Sequence, residues 1–177
     1  MDFKENLCKT IREIKDFPIK GIVFRDITPI LKDVALFNQT ISFLSDKFKD
    51  YKLDKIAAIE SRGFLFGMPL AVKLNIPFVP IRKKGKLPAQ TVQAAYALEY
   101  GAAVIEMHKD ALNKGERVLI IDDLLATGGT INASVELVEK LGAKPIAAAF
   151  VIELADLNGR KSIKNKELEV LSILQYK

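Results

Sequence analysis

The sequence predicts a single α/β domain built on a mainly parallel twisted sheet flanked by helices. Three observations lead there. Stretches of β-type residues alternate with segments of helical period, the pattern that lays helices over a parallel sheet. Residues 118–121 form an uninterrupted apolar run, as expected of a strand covered on both faces. The 177 residues, free of internal repeats and low-complexity segments, suffice for one sizeable core.

The elements follow in order. Between residues 33 and 48, Leu36, Phe37, Ile41, Leu44 and Phe48 recur at helical spacing and form one face of an amphipathic helix. Residues 56–59 read as a short buried strand. Residues 77–81 read as a second, running straight into Arg82-Lys83-Lys84. Residues 83–93 contain Gly85 and Pro88, lack a period, and read as a mobile loop. After the strand at 118–121 comes a helix from about 131 to 141, whose Ile131, Val135, Val138 and Leu141 share a face. Gly142 and Pro145 mark its end. Residues 146–152 and 168–174 complete the strands. The polar, basic stretch 158–166 receives no role.

Composition narrows the chemistry. No apolar run reaches the roughly 18 residues that span a membrane. The first residues lack a basic-then-apolar secretory pattern. Cys8 is the only cysteine, which excludes an intrachain disulfide and suits a cytoplasmic location. His108 is the only histidine, so a His-rich zinc site is excluded. No motif surrounds it, and it reads as incidental surface. The net charge of +5 is compatible with nucleic acid, an acidic surface or a small polyanion. The positions of the basic residues must decide.

The most informative segment is Val118-Leu119-Ile120-Ile121-Asp122-Asp123-Leu124-Leu125-Ala126-Thr127-Gly128-Gly129-Thr130. An apolar strand ends in two carboxylates, then a loop of small and hydroxyl residues opens a helix. Ligands of parallel α/β sheets sit at the carboxyl ends of the strands. A helix N-terminus offers free N–H groups and partial positive charge, suited to phosphate. Gly128 and Gly129 let backbone approach closely, and Thr127 and Thr130 add hydroxyl donors. Two carboxylates would repel a bare anion, so Asp122 and Asp123 read better as acceptors for sugar hydroxyls beside the phosphate. A phosphoribosyl group has that layout. An ordinary strand-turn-helix connection with capping residues is the plainer reading. Neither a P-loop nor a dinucleotide-binding glycine pattern occurs.

Three other stretches carry weaker signals. Glu60-Ser61-Arg62-Gly63 follows a buried strand and could cradle an anion, or form a surface ion pair. Arg82, Lys83, Lys84 and Lys86 place four cations within five residues, as a solvated face or as a lid over a diphosphate. Phe24, on sequence alone, reads as a core aromatic.

These segments resemble the type I phosphoribosyltransferases and, along nearly the whole chain, the adenine phosphoribosyltransferases. The resemblance rests on Phe24-Arg25-Asp26-Ile27-Thr28-Pro29, Glu60-Ser61-Arg62-Gly63-Phe64-Leu65-Phe66-Gly67, Arg82-Lys83-Lys84-Gly85-Lys86-Leu87-Pro88, Leu98-Glu99-Tyr100-Gly101 and residues 122–130. It implies the type I phosphoribosyltransferase fold, with a small N-terminal hood at about residues 1–30 and a flexible lid at about 83–101 that includes Tyr100. It also implies a site. Phe24 stacks on adenine, while the backbones of Val23 and Arg25 read its polar edge. Ser61, Arg62, Arg82, Lys83 and Lys86 bind diphosphate, with a cis bond between Glu60 and Ser61. Asp122 and Asp123 hold the ribose, and Ala126, Thr127, Gly128, Gly129 and Thr130 hold the 5-phosphate. Glu99 is the acid-base residue. The chain departs from the pattern at Ala89-Gln90 and Ala102, positions of lid mobility and not of chemistry.

The implied reaction joins adenine to phosphoribosyl diphosphate, giving AMP and diphosphate. Mg²⁺ is held mainly by substrate and water, with no direct protein ligand. A homodimer is expected, with neither nucleic acid nor membrane as partner. Two other readings remain: a non-catalytic regulator that senses phosphoribosyl diphosphate and binds nucleic acid, and an enzyme for a different purine base.

Overall fold

The computed structural model describes residues 2–97 and 101–177. Its contacts divide the chain into two compact units, Met1–Asp46 and Lys47–Lys177.

In the first unit, helix α1 (Phe3–Thr10) precedes an antiparallel hairpin of β1 (Arg12–Lys15) and β2 (Val23–Asp26), in which Ile14 faces Phe24. A short helix α2 (Thr28–Lys32) follows. Asp26 fixes its start by accepting from both the Thr28 N–H (2.9 Å) and the Thr28 hydroxyl (2.8 Å). Helix α3 (Val34–Phe48) carries the chain into the second unit and matches the helix read from the sequence.

The second unit holds a seven-stranded sheet. Its strands are β3 (Lys55–Ile59), β4 (Phe78–Lys83), β5 (Thr91–Ala97), β6 (Ala102–His108), β7 (Arg117–Leu125), β8 (Lys144–Leu154) and β9 (Glu169–Tyr176), in the order β5-β6-β4-β3-β7-β8-β9. From β4 to β9 neighbouring strands run parallel, while β5 and β6 form an antiparallel hairpin joined to β4. This hairpin is a correction to the sequence reading: Lys83 closes β4 and Thr91 opens β5, so only the stretch between them lacks strand structure. Ala94, Ile105 and Met107 of the hairpin are buried in the core.

Helix α4 (Arg62–Leu74) packs on β3 and β7. Two glycines permit this. A Cβ on Gly67 would lie 2.6 Å from the Ala58 Cβ, and one on Gly63 would lie 2.8 Å from the Ile121 carbonyl oxygen. Helix α5 (Gly129–Lys140) covers β5, β7 and β8. It ends as expected, with Gly142 at φ +77° and its N–H on the Glu139 carbonyl. A last short helix, α6 (Gly159–Ser162), lies between β8 and β9.

Candidate active site

Strands β3, β4 and β7 deliver their carboxyl ends to one edge of the sheet. Ile59 pairs with Ile81, and Ala58 pairs with Ile121. The residues just beyond those pairs therefore meet: Glu60 and Ser61 from β3, Arg82 and Lys83 from β4, and Asp122 and Asp123 from β7. The Glu60–Ser61 peptide is cis, as the resemblance implied. Glu60, Ser61, Arg62, Lys83, Lys86, Asp122 and Asp123 line a cleft of about 440 Å³.

Two arginine–carboxylate pairs close at this cleft. The Arg62 Nε donates to Asp123 Oδ2 at 2.5 Å, and the Asp123 side chain is only 5% exposed. Arg82 grips Glu60 through Nε (3.2 Å) and Nη2 (2.9 Å), and its Nη1 donates to the Lys86 carbonyl at 2.9 Å. The hydrogen bonds from Arg82 hold the Glu60 carboxyl below its usual range. Asp122 behaves oppositely. Burial, and then the charge of neighbouring Asp123, push its carboxyl well above the ordinary value. The Asp123 N–H closes onto Asp122 Oδ1 at 2.8 Å.

Beside the carboxylates, residues 126–130 turn into α5 around a pocket of about 200 Å³ that Arg62, Asp122 and Asp123 also line. Gly128 sits at φ +85°, and no side chain caps the helix. The first N–H groups of α5 thus gather at a small concavity, an anion site of the helix-terminus kind. The loop has tight support from behind. The Ser162 Oγ lies 2.7 Å from the Thr127 carbonyl oxygen, and a Cβ on Gly128 would lie 2.1 Å from that Oγ.

The basic loop after β4 is supported by a residue that sequence reading missed. Glu106 of β6 is buried and accepts from the Lys86 and Leu87 N–H groups, both at 3.1 Å, and from the Thr91 hydroxyl at 3.2 Å. An isolated Glu in an apolar run was the available signal, because a carboxylate there needs several donors.

The structure thus brings together Ser61, Arg62, Lys83, Lys86, Asp122, Asp123 and the 126–130 loop. Arg82 stands behind the cleft with its guanidinium committed to Glu60 and Lys86. Val23, Phe24 and Arg25 lie on β2 of the first unit. There Phe17 meets Phe24 edge-on (5.3 Å, 73°), and Arg25 pairs with Glu13. Phe24 is half-buried on a two-stranded hairpin and is not a core aromatic. Glu99 and Tyr100 fall outside the described residues. His108 requires a correction: it is half-buried, and its Nε2 is buried without a hydrogen-bond partner.

Comparison with known proteins accords with this geometry. Residues 26–176 match the phosphoribosyl transferase domain family. The adenine phosphoribosyltransferase of Carboxydothermus hydrogenoformans is 53% identical over 171 residues, covering 97% of this chain and 99% of that protein. The chain belongs to the adenine phosphoribosyltransferases. The crystal structure of the Thermoanaerobacter pseudethanolicus adenine phosphoribosyltransferase superposes with a TM-score of 0.94 at 51% identity, covering 98% of this chain and 99% of that one. The Saccharomyces cerevisiae enzyme, solved with adenine and an imino-altritol bisphosphate, gives 0.91 at 40% identity, covering 97% and 98%. Among adenine phosphoribosyltransferases, then, the chain is matched along nearly its whole length, and it has the family's glycosyltransferase architecture.

Proposed function

We propose that this chain transfers the 5-phosphoribosyl group of phosphoribosyl diphosphate to N9 of adenine, giving AMP and diphosphate in purine salvage. One observation carries the reading. An uncapped helix N-terminus, a pair of carboxylates and a cleft lined by Arg62, Lys83 and Lys86 follow one another along the sheet edge, in the order of 5-phosphate, ribose diol and diphosphate.

Residues 126–130 bind the 5-phosphate through backbone N–H groups, with the Thr127 and Thr130 hydroxyls alongside. Asp122 and Asp123 accept from the ribose hydroxyls, and their charge favours positive charge developing on the sugar. Ser61, Arg62, Lys83 and Lys86 hold the departing diphosphate, and Arg82 keeps Lys86 in place. The bond from C1 to diphosphate oxygen breaks and the bond from C1 to N9 forms. Glu99 takes up and returns purine protons. Phe24 stacks on the base while Val23 and Arg25 present backbone groups to its edge.

Mg²⁺ would be held mainly by substrate oxygens and water, close to Asp122 and Asp123, which line the cleft. Among the described residues no set of three His, Cys, Asp or Glu side chains gathers to hold one unaided. When bound, Mg²⁺ supplies neutralisation of the diphosphate charge. A homodimer is supported by the exposed apolar row Leu65 (40%), Met68 (46%) and Val72 (73%) on α4. No helix among the described residues is long and apolar enough to cross a membrane. The single cysteine supports a cytoplasmic location.

The deciding experiment is AMP formation from adenine and phosphoribosyl diphosphate with Mg²⁺, run beside hypoxanthine and guanine. Turnover of adenine alone is expected. Turnover of an oxopurine would overturn the base assignment, and absence of turnover despite tight binding would overturn catalysis. Glu99→Gln should lower kcat by about 100-fold or more with little change in phosphoribosyl diphosphate binding. Unchanged turnover would remove Glu99 from its role.

A further inference from the structure

Behind the 126–130 loop lies a second polar assembly that the reaction does not use. Glu153, near the end of β8, is 4% exposed. It pairs in register with Leu125, the residue that leads into the loop. Arg160 of α6 grips it with two bonds, Nε to Oε1 at 3.0 Å and Nη2 to Oε2 at 2.5 Å. The same guanidinium reaches β9, donating from Nη1 to the Val170 carbonyl (2.7 Å) and from Nη2 to the Ser172 hydroxyl (3.2 Å). Gln175 of β9 adds a donor to Glu153 Oε2 at 3.1 Å. A planar guanidinium that makes four bonds to two strands has little freedom, and a lysine could not reproduce that fork.

The residues on either side of Arg160 touch the loop. Gly159 lies so close beneath it that a Cβ there would stand 2.1 Å from the Ala126 carbonyl oxygen and 3.2 Å from the Gly128 nitrogen. Ser162 ties to the Thr127 carbonyl. Asn132 of α5 closes the assembly, donating to the Ser162 carbonyl (3.0 Å) and accepting from the Lys164 N–H (2.9 Å). A loop that binds phosphate through backbone N–H groups owes its affinity to where the backbone is held. Residues 126–128 are held by α6, and α6 is held by Arg160.

We infer that Arg160 and Glu153 are positioning residues for the 5-phosphate: they clamp α6 to the sheet so that Gly159 and Ser162 set the shape of the phosphate loop. The inference rests on residues 126–130 being the phosphate site, and the test separates the two claims.

Calorimetry on the full chain would measure ribose 5-phosphate, AMP and inorganic diphosphate, with steady-state kinetics in parallel. Wild-type protein should bind ribose 5-phosphate; failure to do so would overturn the phosphate-loop reading itself. Arg160→Met should weaken ribose 5-phosphate and AMP by about tenfold or more while leaving diphosphate within twofold. The KM for phosphoribosyl diphosphate should rise, with kcat at saturation and the KM for adenine little changed. Arg160→Lys should recover only part of the loss. Ser162→Ala removes one exposed hydroxyl and tests the same path should Arg160→Met not fold. It should weaken the two sugar phosphates about threefold and spare diphosphate. Unchanged sugar-phosphate affinity in folded variants, or equal weakening of all three ligands, would overturn the inference.

Discussion

The two strand-to-helix turns at the ligand edge are built in opposite ways. The turn into α4 works with side chains: Arg62 is paired with Asp123, and nearby Arg82 is paired with Glu60. The turn into α5 works with backbone: its helix is uncapped and its glycines leave no room for side chains. The difference lies in preorganisation. The α5 turn is held from behind, so the proposed phosphate would meet a loop already in place. At the α4 turn, Arg62 already has a carboxylate partner, so the proposed diphosphate would compete with Asp123 for it.

The largest expected effect tests the preformed turn. Gly128→Ala would place a Cβ 2.1 Å from the Ser162 Oγ at a φ of +85°. It should cut kcat/KM for phosphoribosyl diphosphate by about 100-fold or more, with AMP affinity falling in parallel. Retention within threefold would break the comparison. Next comes the competing turn. Asp123→Asn removes the anion that faces Arg62, so the KM for phosphoribosyl diphosphate should rise by about tenfold as a ribose acceptor is weakened. Inorganic diphosphate should bind about threefold more tightly, because one competing negative charge is gone. Weaker diphosphate binding would show that Asp123 supports the cation and does not compete for it.

A pH titration sharpens the same contrast. The Asp122 carboxyl is raised, first by burial and then by Asp123. A raised acid takes up its proton earlier as pH falls, so binding of phosphoribosyl diphosphate should decline at a pH above the ordinary aspartate value of about 3.9. Asp123→Asn removes the second cause and should move that midpoint downward. A midpoint that stays put would mean the two carboxylates do not interact.

The smallest effect concerns stability. Arg160, through its hydrogen bonds to Glu153, lowers that carboxyl below its ordinary value. A lowered acid contributes stability that is present above the unfolded pKa, about 4.3, and lost as pH falls through the folded value. The Tm deficit of Arg160→Met, measured by calorimetry against wild type, should therefore shrink on acidification below that point. A deficit constant with pH would assign the loss to packing.

The α5 turn was legible in the sequence because its signals are contiguous: an apolar strand, two acids, two glycines and a helical period within residues 118–141. The cleft was half legible. Arg62 and Lys83 could be named, but not their partners, since Asp123 lies 61 positions from Arg62. The β5–β6 hairpin escaped because residues 94–97 are mostly small and residues 104–107 mix apolar positions with the buried Glu106. Neither stretch shows clean alternation, and pairing between them and with β4 supplies the strand character. Residues 158–166 received no role for a related reason. The significance of Arg160 lies in Glu153, Val170 and Ser172, which only the fold brings to it.

Gly128 and Gly159 pack back to back: a Cβ on Gly128 would stand 2.1 Å from the Ser162 Oγ and 2.7 Å from the Gly159 carbonyl oxygen, and one on Gly159 would stand 2.1 Å from the Ala126 carbonyl oxygen. Each segment is therefore the other's steric limit, like two teeth of a closed zip. Redesign of this pocket for a bulkier sugar phosphate gains no room by varying residues 126–130 alone. The loop can be recast only together with the 158–162 segment, so combinatorial libraries for new substrates should randomise the two segments as one unit.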